Sequence, residues 1–368
     1  MASIEYPSSS ASVSRQHQAD GEASRQGPMV DLGVEDMESP IEDMETVAKL
    51  KKRLEHVVRL YNSGKLLFPR ALLEGLHQQI EAGKEEVCIT DLDDVPSTHS
   101  LKVPAICSDF ATTYCIGYTS IQLLTYIHPS FPTMILSDQA PVSILYTHYP
   151  SHPDGTLEEV CAAFDKARME WLESGTCQEL QSHLTTMRFS CHIHKIVAFG
   201  LGTLAKVQND HFSTRSYVQH AAIATMATAL KERGINDGKE IQCYAQDPWY
   251  DETDVEFLKS IGITVVNDPK GFLEIDEFTL VFSVCPNIPV KQIVADVQWP
   301  GAMIWNTVSE GEETKQWRKR LRSGEEFWMG PLITDPDSKR VCDMVSHYTK
   351  APLLDLEDFF GDLTVYVK

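Results

Sequence analysis

The fold turns on one stretch, His194-Lys195-Ile196-Val197-Ala198-Phe199-Gly200-Leu201-Gly202-Thr203-Leu204-Ala205. Residues 194–199 are a short apolar run closed by glycine, the pattern of a buried parallel strand. Residues 200–205 then match G-x-G-x-x-A, the dinucleotide-binding pattern. Glycines at those positions permit a tight turn and let a ligand approach the backbone. In that pattern the helix opens at the glycines, so that its first amides face a phosphate. Here a polar stretch, 206–212, intervenes. The next helix is expected to begin at Ser213 or Thr214, either of which can cap it. Val218, Ala221, Ala222, Met226, Ala229 and Leu230 mark its buried face, and Gly234 ends it.

Downstream the same alternation continues. Apolar runs at 241–245, 263–266, 278–283 and 302–305 read as strands. Helical spacing fills 254–261 and 289–297, the latter with Pro289 near its start, where a missing N–H costs little. Such alternation implies an α/β fold: a Rossmann-like parallel sheet with flanking helices. The expected whole is that core, preceded by a mostly helical region and a disordered N-terminus.

Ligands of such sheets bind beyond the carboxyl ends of the strands. The candidate pocket therefore collects Gly200, Gly202, Thr203, Asp247, Cys285 and Asn306, with Arg215 on the helix that follows. Asp247 stands at the tip of the second strand, where nucleotide and S-adenosylmethionine binders hold a ribose. Its distance along the chain from Gly200 is much longer than the ~20 residues of the usual fingerprint. A turn residue before Pro248 is the plain alternative. Arg215 is a fork donor for a phosphate or a carboxylate, or else a solvated surface group. Cys285 is a nucleophile only if a neighbour lowers its pKa, and otherwise an inert thiol. The cofactor expectation is a nucleotide or S-adenosylmethionine. Cys191, His192 and His194 invite a metal reading, but no second ligand pair has zinc-site spacing.

Upstream, Val47, Leu50, Leu54, Val57, Val58 and Tyr61 recur at helical spacing, with Lys49, Lys51, Lys52 and Arg53 on the other face. Further helices are expected at 70–80, 157–173 and 178–187. Residues 91–150 read as loops and short strands. The expected divisions are a Ser-rich acidic tail at 1–40, a helical region at 41–190 with a strand and loop insertion at 91–150, the core at 191–310, and a helical extension at 311–368. Within 1–45 ten acids face only Arg15 and Arg25, and large apolar groups are few. Such a segment cannot bury enough surface to offset chain entropy. The basic stretch Lys315, Arg318, Lys319, Arg320 and Arg322 reads as a helix with surface ion pairs.

The net charge of −21 repels phosphate backbones and anionic membranes. Protein partners are therefore expected rather than nucleic acid. No apolar run approaches the ~20 residues of a membrane span. The N-terminus has no apolar core of the secretory kind. Nine scattered cysteines without a CxxC pair suit reduced thiols in the cytoplasm or the nucleus.

The strand leading into Gly200-Leu201-Gly202, the helix with Tyr217 and Gln219, Asp247-Pro248, Trp249-Tyr250, Leu258, Gly262 and Thr279-Leu280 together resemble the SRR1-like family. That resemblance implies a regulatory role: circadian or light input, stress response, or control of haem biosynthesis. It implies no established reaction. The family commonly shows a Pro-His-Cys-like motif after the fourth strand. This chain has Val284-Cys285-Pro286-Asn287 and no histidine there.

Overall fold

The computed structural model describes residues 44–126, 132–136, 140–148, 155–205, 211–234, 238–309, 318–322, 325–329 and 333–368. The acidic tail at 1–40 and the polar residues 206–210 lie outside them. In chain order come α1 (Met44–Asn62), α2 (Arg70–Glu81), β1 (Glu86–Thr90), β2 (Pro96–Ser100), β3 (Thr113–Tyr118), α3 (Ile121–Leu124) and β4 (Val142–Thr147). Next are α4 (Leu157–Glu173), α5 (Gly175–Thr186), β5 (Lys195–Phe199), α6 (His211–Glu232), β6 (Gln242–Gln246), α7 (Glu252–Ser260), β7 (Ile263–Val265) and α8 (Lys270–Leu273). The chain continues through β8 (Thr279–Ser283), α9 (Val290–Val297), β9 (Ala302–Asn306), β10 (Arg318–Arg322), β11 (Glu325–Met329), α10 (Lys339–Ser346), β12 (Thr349–Leu353) and β13 (Leu363–Val367).

Seven strands make the central sheet in the order β12-β13-β9-β8-β5-β6-β7. From β9 to β7 all neighbours run parallel, as the apolar runs predict. The order changes direction at β5: β6 and β7 extend to one side, β8 and β9 to the other. Carboxyl ends diverge at that switch point, and the glycine loop emerges there. β13 lies antiparallel to both β9 and β12.

Side chains alternate between two cores, as strand geometry requires. Ile196, Ala198, Leu280, Phe282 and Ile304 join the core beneath α4–α7. Val197, Phe199, Val281, Met303 and Trp305 join the opposite core, with α2, α8, α9 and the β3–β4 hairpin. α4 begins at a capping box, in which Thr156 and Glu159 each bind the other's backbone N–H. It buries Val160, Phe164, Ala167 and Trp171, one stripe at helical spacing. α6 packs against both α4 and α5 as well as the sheet. A helix covered on several sides must be apolar nearly all round.

Two expectations fail in the C-terminal region. The described residues of 311–368 hold four strands and a short helix rather than a helical extension. β12 and β13 complete the main sheet, and α10 is a short helix packed on α9. Thr364, Val365 and Val367 are β-branched, which stiffens them for a strand. Where it is described, the basic stretch is strand rather than helix: Arg318–Arg322 pairs antiparallel with Glu325–Met329, and Lys315 lies outside the described residues. Upstream, two hairpins, β1–β2 and β3–β4, lie within and beside the strand and loop insertion expected at 91–150.

Candidate functional site

Gly200 and Gly202 both take positive φ, 69° and 78°. A Cβ on Gly200 would lie 3.0 Å from Pro286 Cβ, and one on Gly202 would lie 2.7 Å from Ser216 Oγ. The turn after β5 therefore needs glycine twice, for its backbone angles and for its close neighbours.

Two carboxylates hold this turn. Asp247, at the tip of β6, accepts the Gly202 N–H at 2.8 Å and the Trp249 N–H at 2.8 Å. Burial pushes its pKa up to about 6, against the pull of those two amides. Asp254, fully buried in the first turn of α7, accepts the Leu204 N–H at 2.7 Å, the Ala205 N–H at 3.1 Å and the Thr203 hydroxyl at 2.7 Å. It also accepts the Asp251 N–H at 3.1 Å, while Asp251 accepts the Asp254 N–H. The carboxylate that starts α7 thus doubles as the anchor of the glycine turn. Burial raises its pKa as well.

A second group sits across the switch point. Cys285 is exposed and takes φ 45°, a left-handed conformation that costs a side-chain-bearing residue energy. Its N–H donates to Asn306 Oδ1 at 2.8 Å, and Asn306 Nδ2 donates to its Sγ at 3.2 Å. Pro286, pressed on Gly200, joins this pair to the glycine turn. Six of the seven expected residues therefore meet at the carboxyl ends of β5, β6, β8 and β9. Arg215 does not join them. Its guanidinium binds the Asp358 carboxylate at 2.6 Å and the Asp358 carbonyl at 3.0 Å.

Several contributors escaped the sequence reading. In the sequence Asp254 only opens the helix expected at 254–261; in the structure it closes the capping box begun by Asp251. His220 is buried inside α6, its Nδ1–H donating to the Ser216 carbonyl at 2.7 Å and its Nε2 accepting from the Tyr250 hydroxyl at 2.7 Å. Burial lowers its pKa to about 4, so the imidazole is neutral. Beyond β6, Asp268 accepts from the Tyr118 hydroxyl at 2.6 Å and from Gln246 Nε2 at 3.0 Å. Burial pushes this carboxyl up to about 7. A polar residue inside an apolar segment carries no signal of the distant partner that satisfies it.

Among the described residues, no group of three or more His, Cys, Asp or Glu side chains is placed to hold a metal ion. His192 and His194 do share a face, with rings 6.2 Å apart and nearly parallel. Cys191 points its thiol at the Glu277 carbonyl instead. All nine cysteines are free thiols. Among the described residues no helix is long and apolar enough to cross a membrane.

No curated protein matches the chain. Among solved structures, the crystal structure of Thermoplasma acidophilum 1320 aligns at 9% identity over 52% of this chain and 96% of that chain, with a TM-score of 0.21. The SRR1 domain family model matches residues 177–366. That match runs from α5 through β13 and takes in the glycine turn, both carboxylates and the Cys285–Asn306 pair. Spanning more than half of the sequence, it establishes that the chain belongs to the SRR1 domain family.

Proposed function

We propose that this chain is a regulatory protein that works through protein partners in the cytoplasm or the nucleus. Its role is of the kind the family resemblance implies: circadian or light input, stress response, or control of haem biosynthesis. One observation speaks against a phosphate-bearing cofactor on the glycine turn. The Gly202, Leu204 and Ala205 amides, which an incoming phosphate would need, already donate to Asp247 and Asp254. An anionic ligand meets two carboxylates there rather than free donors. The net charge of −21 favours basic protein surfaces as partners over nucleic acid.

A second reading is favoured by the strand order. Counted from β5, the sheet runs 3-2-1-4-5, and its seventh strand is inserted antiparallel between the fifth and the sixth. Open α/β sheets bind ligands where the strand order reverses, as it does here at β5, an analogy of fold alone. In that reading Gly200–Gly202 lie under the ligand and Asp247 holds its ribose.

One experiment separates the two. Thermal unfolding of the full chain is followed with ATP, NAD, S-adenosylmethionine and haem, since a ligand bound only by the folded state raises the midpoint. The regulatory reading expects no saturable rise with the nucleotides or S-adenosylmethionine. A saturable rise that Asp247→Ala removes would overturn it in favour of the second reading.

A further inference from the structure

Residues 333–338 lie across the carboxyl ends of β8 and β9, and four consecutive members hold four different places. The Thr334 hydroxyl donates to the Pro286 carbonyl at 2.5 Å. Asp335 Oδ1 accepts the Lys291 N–H at 3.0 Å, in the first turn of α9. The Pro336 carbonyl accepts from Gln292 Nε2 at 3.0 Å. The Asp337 carbonyl accepts from Gln122 Nε2 at 2.5 Å, and its Oδ2 accepts the Ser309 N–H at 3.0 Å. Beneath this segment the Lys291 ammonium, 1% exposed, is paired with Asp337.

The charges do not balance. Two carboxylates, Asp335 and Asp337, face one ammonium, and that ammonium is committed to Asp337. Asp335 is 5% exposed, and its Oδ2 has no hydrogen-bond partner among the described residues. An ionised carboxylate with an unserved oxygen is costly away from water. A proton on Asp335 removes both faults, the surplus charge and the second carboxylate's repulsion. The charged groups that face Asp335 are Lys291 from α9 and Asp337 from its own segment. Arg340 of α10 is spent on Asp296 and on the carbonyls of Tyr61 and Lys65.

We propose that residues 333–338 form a strap latched on Lys291 beside the ends of β8 and β9, which tightens on acidification and loosens toward neutral pH. Burial supports the sense of the switch by pushing the Asp335 carboxyl up to about 7, from 3.8. The closed strap therefore binds a proton that the open strap releases. Closure is complete below about pH 4, weakens through the interval, and levels off above about pH 7. When open, the strap frees the Lys291 ammonium and the Lys291 N–H in the first turn of α9.

The test is amide hydrogen exchange on the full chain at pH 5 and pH 8, corrected for intrinsic rates and read on peptides covering residues 287–297 and 333–346. One linked proton predicts that protection falls by about tenfold per pH unit between 4 and 7. Asp335→Asn, which keeps the shape but cannot ionise, is expected to hold the same protection at both pH values. Asp335→Ser serves if the Asn variant does not fold. Equal protection of the wild-type strap at pH 5 and pH 8 overturns the proposal. So does a pH response that survives in either variant.

Discussion

Gly202 sits where its backbone angle and its neighbour both exclude a side chain. A left-handed alanine costs about 1–2 kcal/mol before any contact is counted, and the Ser216 hydroxyl must also turn away. Gly202→Ala is therefore expected to lower stability by about 1–3 kcal/mol in urea unfolding. Asp254→Ala should cost more, about 3–5 kcal/mol, because it leaves the Leu204, Ala205 and Asp251 amides and the Thr203 hydroxyl without an acceptor. His220 gives a signed pH effect. Its folded pKa lies near 4, below the 6.5 of a free imidazole. Its contribution is thus fully present above about 6.5 and is lost as pH falls toward 4. Asp247, raised to about 6, acts in the opposite sense and stabilises most below about 4. The expected outcome is that His220→Gln unfolds less steeply with acid between pH 6 and 4, measured by thermal midpoints. An unchanged slope would remove the buried imidazole from the acid response.

Between elements, one clasp joins α9, α10, the end of α1 and the segment that links it to α2. Arg340 donates to Asp296 Oδ1 at 2.9 Å and to the carbonyls of Tyr61 and Lys65, and it lies 4.0 Å over the Tyr61 ring. Asp296, 3% exposed in its side chain, uses its other oxygen on the Leu67 and Phe68 amides. Removing one partner strands a buried charge, so Arg340→Ala is expected to destabilise by about 3–5 kcal/mol. Replacing both by apolar residues should cost less, and a double-mutant cycle in urea measures the difference. Nothing in the local sequence announces this clasp, because its members are more than forty residues apart. The core strands were legible for the converse reason. β5, β8 and β9 are continuous apolar runs whose burial on both faces is written into their own composition. The strand-end cluster was partly legible: glycines and an aspartate at strand tips are local signals, whereas Asp254 and His220 matter through partners supplied by another element. The C-terminal strands were misread because Lys350 and Pro352 look unlike a core strand. β12 lies at the sheet edge, where a proline without an N–H is tolerated.

At the scale of the whole molecule, one sheet carries two cores, and both depend on the last pair of strands. Leu363, Val365 and Val367 face one core and Tyr366 the other, all buried. Deleting residues 349–368 removes them together and bares β9. Such a truncation is expected to abolish cooperative unfolding and to yield an aggregating chain, checked by circular dichroism and size-exclusion chromatography. The position of β13 also has a consequence during synthesis. The strand lies between β9 and β12, yet the ribosome delivers it after both. Until it emerges, a nascent chain can close neither side of that gap, and a bare apolar edge waits in the crowded cell. A holdase chaperone would find the β9 edge bare until β13 follows it out of the ribosome.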